Sequence, residues 1–198
     1  MTFSYYLISS LFIGLCLTED DFNATQKNVM PDYYWRDYVG IIPNDALPGG
    51  FDKSRARTYI GQILTKDLLL PATIHNGSKT SVASANGETI YVDNFVKILC
   101  TRNRGRYRWV TTENSKTHLL TNFHLVIGGT EAGYVLNIGR VAHDMQVIVG
   151  KVFAHHTPYK GLTIPYNNTE ITYQSYELLV YQIPEYTETP KPTKAPIN

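Results

Sequence analysis

The sequence predicts an all-β protein, and three observations carry that reading. Runs such as TYIGQIL, IYVDNFVKIL, YVLNIGRVA, QVIVGKVFA and SYELLVYQ alternate apolar and polar residues or are continuously β-branched. Turn-forming stretches, PGG, NG, GG, YKG and YNN, separate them. No segment sustains a helical period over about a dozen residues. With 198 residues, 43% of them hydrophobic, the chain can bury a full core in one domain or in two small repeats that share one.

In chain order, residues 1–17 come first. The stretch from Tyr5 to Leu17 is apolar and then gives way to Glu19-Asp20-Asp21. It is shorter than the roughly 20 residues a membrane-crossing helix needs, and suits the apolar core of a signal peptide. Gly14 and Cys16 supply the small residues expected ahead of a cleavage site, although the first four residues carry no Lys or Arg. The expectation is a secreted, extracellular protein; the alternative is an N-terminal anchor. Once Cys16 is removed, Cys100 is the remaining cysteine and cannot close an internal disulfide. Its setting, VKILC, fits a small buried hydrophobe, against a reactive thiol that would link two chains into a homodimer. Asn23-Ala-Thr25, Asn76-Gly-Ser78 and Asn167-Asn-Thr169 are N-glycosylation sequons, which agree with a secretory route.

Residues 18–34 form a polar lead-in, and 183–198 form a tail rich in Pro, Thr and charge that cannot bury enough apolar surface to order itself. Between them the chain resembles itself. Trp35, Gly49-Gly50, Ile60-Gly61 and the closing run FVKIL recur as Trp109, Gly128-Gly129, Ile138-Gly139 and YELLV, at a near-constant distance of roughly 75–80 residues. Units at 35–100 and 109–182 follow, joined by an Arg-rich connection at 101–108, and two equivalent halves are expected to close over one core.

The order Trp109, Gly128-Gly129, Ile138-Gly139-Arg140, Gly150-Lys151-Val152 and IPYNNTEITYQSYELLV resembles the repeat of the DM-nine family. The first unit matches in its front half, with Trp35, Ile42-Pro43-Asn44, Pro48-Gly49-Gly50-Phe51-Asp52 and Tyr59-Ile60-Gly61. The resemblance implies two tandem, pseudo-twofold related repeats with interleaved strands in one compact β domain. It also implies a non-enzymatic, lectin-like activity toward mannose-type glycans or microbial surface polysaccharides, with a role in innate immunity. In the sugar-binding members an acid after the Gly-Gly turn and a lysine after a Pro-Gly step are the ligands for the sugar hydroxyls. Here the first unit offers Asp52 and Thr73, and the second offers Glu131 and Lys151, so each unit departs from the complete Asp and Lys pair. His156 stands where the family has a Ser-His-Gly step and is a candidate pocket-lining residue.

Chemistry alone supports a polyol reading of such a pair, since a carboxylate accepts and an ammonium donates several charge-assisted hydrogen bonds. The plainer reading of Glu131 and Lys151 is an ion pair that ties a turn to a strand. For Asp52 it is a cap on its own turn. The histidines at 75, 118, 124, 143, 155 and 156 lack metal-ligand spacing, and no nucleophile motif or cofactor fingerprint is present. Arg102, Arg104, Arg106 and Arg108 would share one face if extended, forming a patch for anionic glycans or lipids; Asn103 and Gly105 could instead break the run into a turn. A net charge of +1 argues against a dedicated nucleic-acid binder. The rival to a lectin is a secreted interaction or structural protein that kept the fold and lost the sugar.

Overall fold

The computed structural model describes residues 32–154 and 161–182. The predicted leader, the sequon at Asn23, His155, His156 and the Pro/Thr-rich tail lie outside the described residues.

The first unit contains β1 (Tyr33–Asp37), β2 (Pro48–Phe51), β3 (Arg57–Thr65), β4 (Leu68–His75), β5 (Ser81–Ala85), β6 (Glu88–Val92) and β7 (Val96–Thr101). The second contains β8 (Tyr107–Glu113), β9 (His124–Leu125), β10 (Ile127–Glu131), β11 (Tyr134–His143), β12 (Gln146–Val152), β13 (Leu162–Tyr166), β14 (Thr169–Tyr173) and β15 (Ser175–Tyr181). In the first, β3 lies between β4 and both β2 and β7, β4 continues to β5 and β6, and β7 is closed by β1. In the second, β11 lies between β12 and both β10 and β15, β12 continues to β13 and β14, and β15 is closed by β8. All of these pairings are antiparallel, and the scheme of one unit is the scheme of the other.

The two units are joined by pairing across each other. Phe51 of β2 pairs with Val147 of β12, and Leu69 of β4 pairs with Thr130 of β10. At each crossing the chain carries the second glycine of a Gly-Gly pair, and the reason is space. A Cβ on Gly50 would lie 2.2 Å from the Val147 carbonyl oxygen, and one on Gly129 would lie 1.9 Å from that of Leu69. The side chains reinforce the exchange. Buried Gln62 donates through Nε2 to the Gly128 carbonyl at 2.8 Å, and Arg140, which occupies the matching place on β11, donates to the Gly49 carbonyl at 3.2 Å. Arg140 is itself held by Glu177 at 2.7 Å and lies over the Trp109 ring at 4.2 Å.

Burial follows strand alternation. Leu47, Ile60, Leu99, Val126, Ile138, Val149, Leu179 and Tyr181, drawn from both units, form a shared central cluster against which Trp35 and Trp109 pack. Ile63, Ile74, Ile98 and Cys100 belong to a second cluster, and Val152, Leu162, Ile164, Leu178 and Val180 to a third. On β7 and β15 successive residues thus enter different clusters, which explains why KILC and ELLVY read as nearly continuous apolar runs. Each such leucine or isoleucine contributes about 1.5–3 kcal/mol by leaving water. Cys100 is fully buried, and burial pushes its thiol up to about 11. A thiolate is therefore scarce at neutral pH, in keeping with a small hydrophobe rather than a reactive group.

The 101–108 stretch takes the turn rather than the extended path. Arg104–Arg106 form a 3-10 turn. The Arg104 guanidinium donates to the carbonyls of Asn44 and Ala46, the latter at 2.9 Å, and Arg106 donates to the Tyr181 hydroxyl at 3.2 Å. The four guanidinium groups do not line one strand face. Two of them are occupied in tying the connection to both units, and the turn is closed by the Asn103 amide donating to Thr101 Oγ1 at 3.0 Å and the Arg106 amide donating to the Asn103 carbonyl at 3.3 Å.

The crossing makes a direct prediction. Gly129→Ala should lower stability by roughly 1–3 kcal/mol in urea unfolding, through forced displacement of backbone. Gly133→Ala, at a turn where nothing lies within 4 Å of the added Cβ, should cost less, its penalty being only that of a positive φ of 81°.

Candidate functional site

Lys151 lies on β12 between Ile138 of β11 and Thr163 of β13. Val149, two residues earlier, points to the same side of the strand and is buried, as is Phe153 just past the strand's end. A lysine in that series must bring a partner, because an unpaired ammonium in such surroundings would cost several kcal/mol. It has two. Nζ lies 2.8 Å from Glu131 Oε2 and 3.0 Å from Glu170 Oε1, and it also donates to Glu131 Oε1 at 3.1 Å. Only 5% of the lysine side chain is exposed, against 13% and 19% for the two carboxylates.

Each carboxylate is placed by a tight hairpin. Glu131 ends β10 and pairs with Tyr134, so Ala132 and Gly133 alone make the turn, with φ of 50° and 81°. Positive φ at both central positions is the turn that matches strand twist in a two-residue hairpin. Such a turn needs no side-chain cap, which leaves the Glu131 carboxylate to reach Lys151. Glu170 follows the Asn167-Asn168 turn between β13 and β14, again with positive φ at both residues. It also anchors to the first unit. Its amide donates to the Gly87 carbonyl at 3.2 Å, and its Oε2 accepts from the Gly87 amide at 2.9 Å. Gly87 sits in the β5–β6 turn, so the floor of the site includes both units.

Around the three charges is a cavity of about 780 Å³ lined by Asp67, Leu68, Asn86, Glu131, Lys151, Phe153, Thr163, Glu170 and Thr172, among others. That volume is within the roughly 300–1,000 Å³ of small-ligand sites, and the mixture of a few converging polar groups with apolar walls is typical of them.

The first unit builds the same place with different chemistry. Thr73 pairs with Ile60 and Val82 as Lys151 pairs with Ile138 and Thr163, so the two positions are equivalent. Thr89 and Tyr91 stand where Glu170 and Thr172 stand in the second unit. The cavity beside Thr73 is smaller, about 240 Å³, and is lined by Phe51, Lys53, His75, Val82, Tyr91 and Tyr166, among others. Asp52 is occupied. Its Oδ1 accepts from the Ser54 amide at 2.8 Å, the Ser54 hydroxyl at 2.7 Å and the Ala56 amide at 3.0 Å, and these bonds hold its pKa below the usual carboxylate value. The longer connection from Phe51 to Arg57, where the second unit spends two residues, consumes the acid as a turn cap.

Sequence reasoning therefore pointed to Glu131 and Lys151, which the fold brings together, and to Asp52 and Thr73, which it does not join into one polar site. It missed Glu170 and Asp67. Neither lies in the Gly-Gly or Gly-Lys landmarks, and each reaches the cavity only through the folding of a hairpin. Asn76 and Asn167 are exposed residues in hairpin turns. Among the described residues, no group of three or more His, Cys, Asp or Glu is arranged to hold a metal, and no helix is long and apolar enough to cross a membrane.

A family model described as the DM9 repeat matches residues 58–173. No curated protein matches the sequence. Among solved structures, the nematode sperm cell motility protein MFP2B is similar in fold, with a TM-score of 0.59 at 14% identity, over 87% of this chain and 53% of that one. This chain thus spans about half the length of that protein.

The charge cluster predicts a stability signature. Lys151→Met leaves two partly buried carboxylates without their cation and should cost about 3–5 kcal/mol in urea unfolding. Adding Glu131→Gln and Glu170→Gln should recover most of that loss. A Lys151→Met protein within about 1 kcal/mol of wild type would mean that the cluster is not a buried ion network.

Proposed function

Because the chain belongs to the DM9 repeat family, we propose that it is a carbohydrate-binding protein whose working site is the cavity of the second unit, around Glu131, Lys151 and Glu170. The observation that carries this reading is a buried ammonium, held between two carboxylates, that lines a cavity of ligand size. A pyranose presents vicinal hydroxyls that both donate and accept. Pre-oriented carboxylates and an ammonium meet both needs with charge-assisted bonds, which are about twice as strong as neutral ones. Fixing the three side chains before binding lowers the ordering cost that the ligand must overcome. Mannose-type hexoses are the ligand class, and the role is recognition rather than catalysis.

The first unit contributes differently. Thr73 replaces the ammonium with a buried hydroxyl that donates to the Val149 carbonyl at 3.4 Å, and Asp52 is already bound to its own turn, so that cavity is a weak accessory. A secreted, extracellular setting accords with Asn76 and Asn167 standing on exposed turns where glycans can be attached. Microbial surface polysaccharides in innate immunity are one context for such a protein.

A second reading has its own support. The similar fold of a sperm motility protein indicates that this architecture also serves roles outside glycan binding. In that reading Lys151 is a latch between hairpins, and the protein acts through its surface on other macromolecules.

Retention on mannan resin separates the two. Wild-type protein and Thr73→Ala should be retained alike, while Lys151→Ala and the milder Glu131→Gln, each checked for fold by near-ultraviolet circular dichroism, should pass through. Retention of folded Lys151→Ala equal to wild type would sink the sugar role of the second unit and favour the latch.

A further inference from the structure

Resting on the carbohydrate reading, we infer that the second-unit cavity selects sugars by charge: it takes neutral and ammonium-bearing sugars, refuses carboxylate-bearing ones, and owes this selectivity to Glu170 together with Asp67. The inference starts from a mismatch between donors and acceptors. Two ionised carboxylates offer roughly eight lone-pair sites, while an ammonium offers three protons. Beyond those, Glu170 receives one further bond, from the Gly87 amide. Glu131 Oε2 and Glu170 Oε1 are buried and lie within ion-pair distance of Nζ, yet neither accepts an aligned hydrogen bond among the described residues. The site is rich in acceptors, and a ligand that completes it must bring donors.

Charge points the same way. Lys151 faces Glu131 and Glu170, and Asp67, an exposed residue at the β3–β4 turn, lines the same cavity. Among the described lining residues one cation stands against three carboxylates, which gives the cavity a net negative field. The ammonium that could have attracted an acidic sugar is itself enclosed between the two glutamates and is only 5% exposed. Hydroxyls and ammonium groups supply donors and meet that field favourably. A uronate or a sialic acid brings only acceptors at its carboxylate, and a like charge placed near desolvated carboxylates is repelled strongly. Thr89 and Thr73, at the equivalent places of the first unit, create no such field, so the property belongs to the second cavity.

Titration of the full chain with mannose, 2-amino-2-deoxymannose and mannuronate at neutral pH and low salt tests the inference. The expected order is the amino sugar first, mannose second and mannuronate last. At least about tenfold in Kd, or about 1.4 kcal/mol, should separate first from last. Glu170→Gln and, separately, Asp67→Asn should each narrow that gap at least about threefold, and high salt should narrow it for wild type. Asp67 is exposed, so its variant keeps the fold even if Glu170→Gln disturbs the hairpin contact. Mannuronate binding as tightly as the amino sugar, or a gap unmoved by both variants, would overturn the charge selectivity while leaving mannose recognition standing. Failure of all three sugars to bind would overturn both.

Discussion

The structure depends on a close approach of backbone to backbone. At Gly50 and Gly129 each unit lays a strand against the other with no room for a side chain, and the carbonyls of Gly49 and Gly128 are taken up by Arg140 and Gln62. Everything else is arranged around that exchange. It forms the central cluster in which Ile60 and Ile138, Leu99 and Leu179 meet, and it keeps the β3–β4 turn with Asp67 beside the β10–β11 hairpin with Glu131. A side chain added at Gly129 would disturb the core and the β3–β4 and β10–β11 turns that border the cavity together, which links the fold's main constraint to its candidate site.

The site illustrates how loop length redistributes chemistry between two otherwise similar units. A two-residue turn satisfies its own backbone, so Glu131 is available to Lys151; the longer first-unit connection needs a cap, so Asp52 is consumed by Ser54 and Ala56. With Thr73 at the lysine position no ammonium stands there, and the second Asp52 oxygen lies 3.9 Å from His75 Nδ1 instead. The acceptor-rich cluster of the second unit is also a structural element, since Glu170 clasps the β5–β6 turn of the first unit through Gly87. The proposed binding and the stability of the fold would therefore be coupled at these residues.

Much of this was legible in the sequence. Period-two runs and turn signals pointed to the strands, the spacing of Trp, Gly-Gly, Ile-Gly and the closing apolar run pointed to two similar units, and the family resemblance matched Thr73 to Lys151, a match the strand pairings repeat. The Glu131 and Lys151 pair was readable because both lie in landmark motifs. Glu170 and Asp67 were not, because their place in the cavity depends on which hairpin folds over which strand; Glu170 stands within the IPYNNTEITYQSYELLV run, yet nothing in that run shows that its carboxylate meets Lys151. The Arg run was ambiguous for a local reason: an alternating sequence allows either a strand or a turn, and the carbonyls and hydroxyl that Arg104 and Arg106 reach are set by distant parts of the chain.

The carbohydrate reading proposed above places a sugar in the cavity between Glu131, Lys151 and Glu170. Amide chemical-shift mapping of isotopically labelled protein titrated with methyl α-mannopyranoside tests it most directly. Saturable shifts are expected to concentrate at Gly87, Ala132, Gly133 and Gly161, whose backbones border that cavity or its glutamates. Shifts confined to the first unit around Thr73 and Val82, or no saturable shift at all, would contradict it.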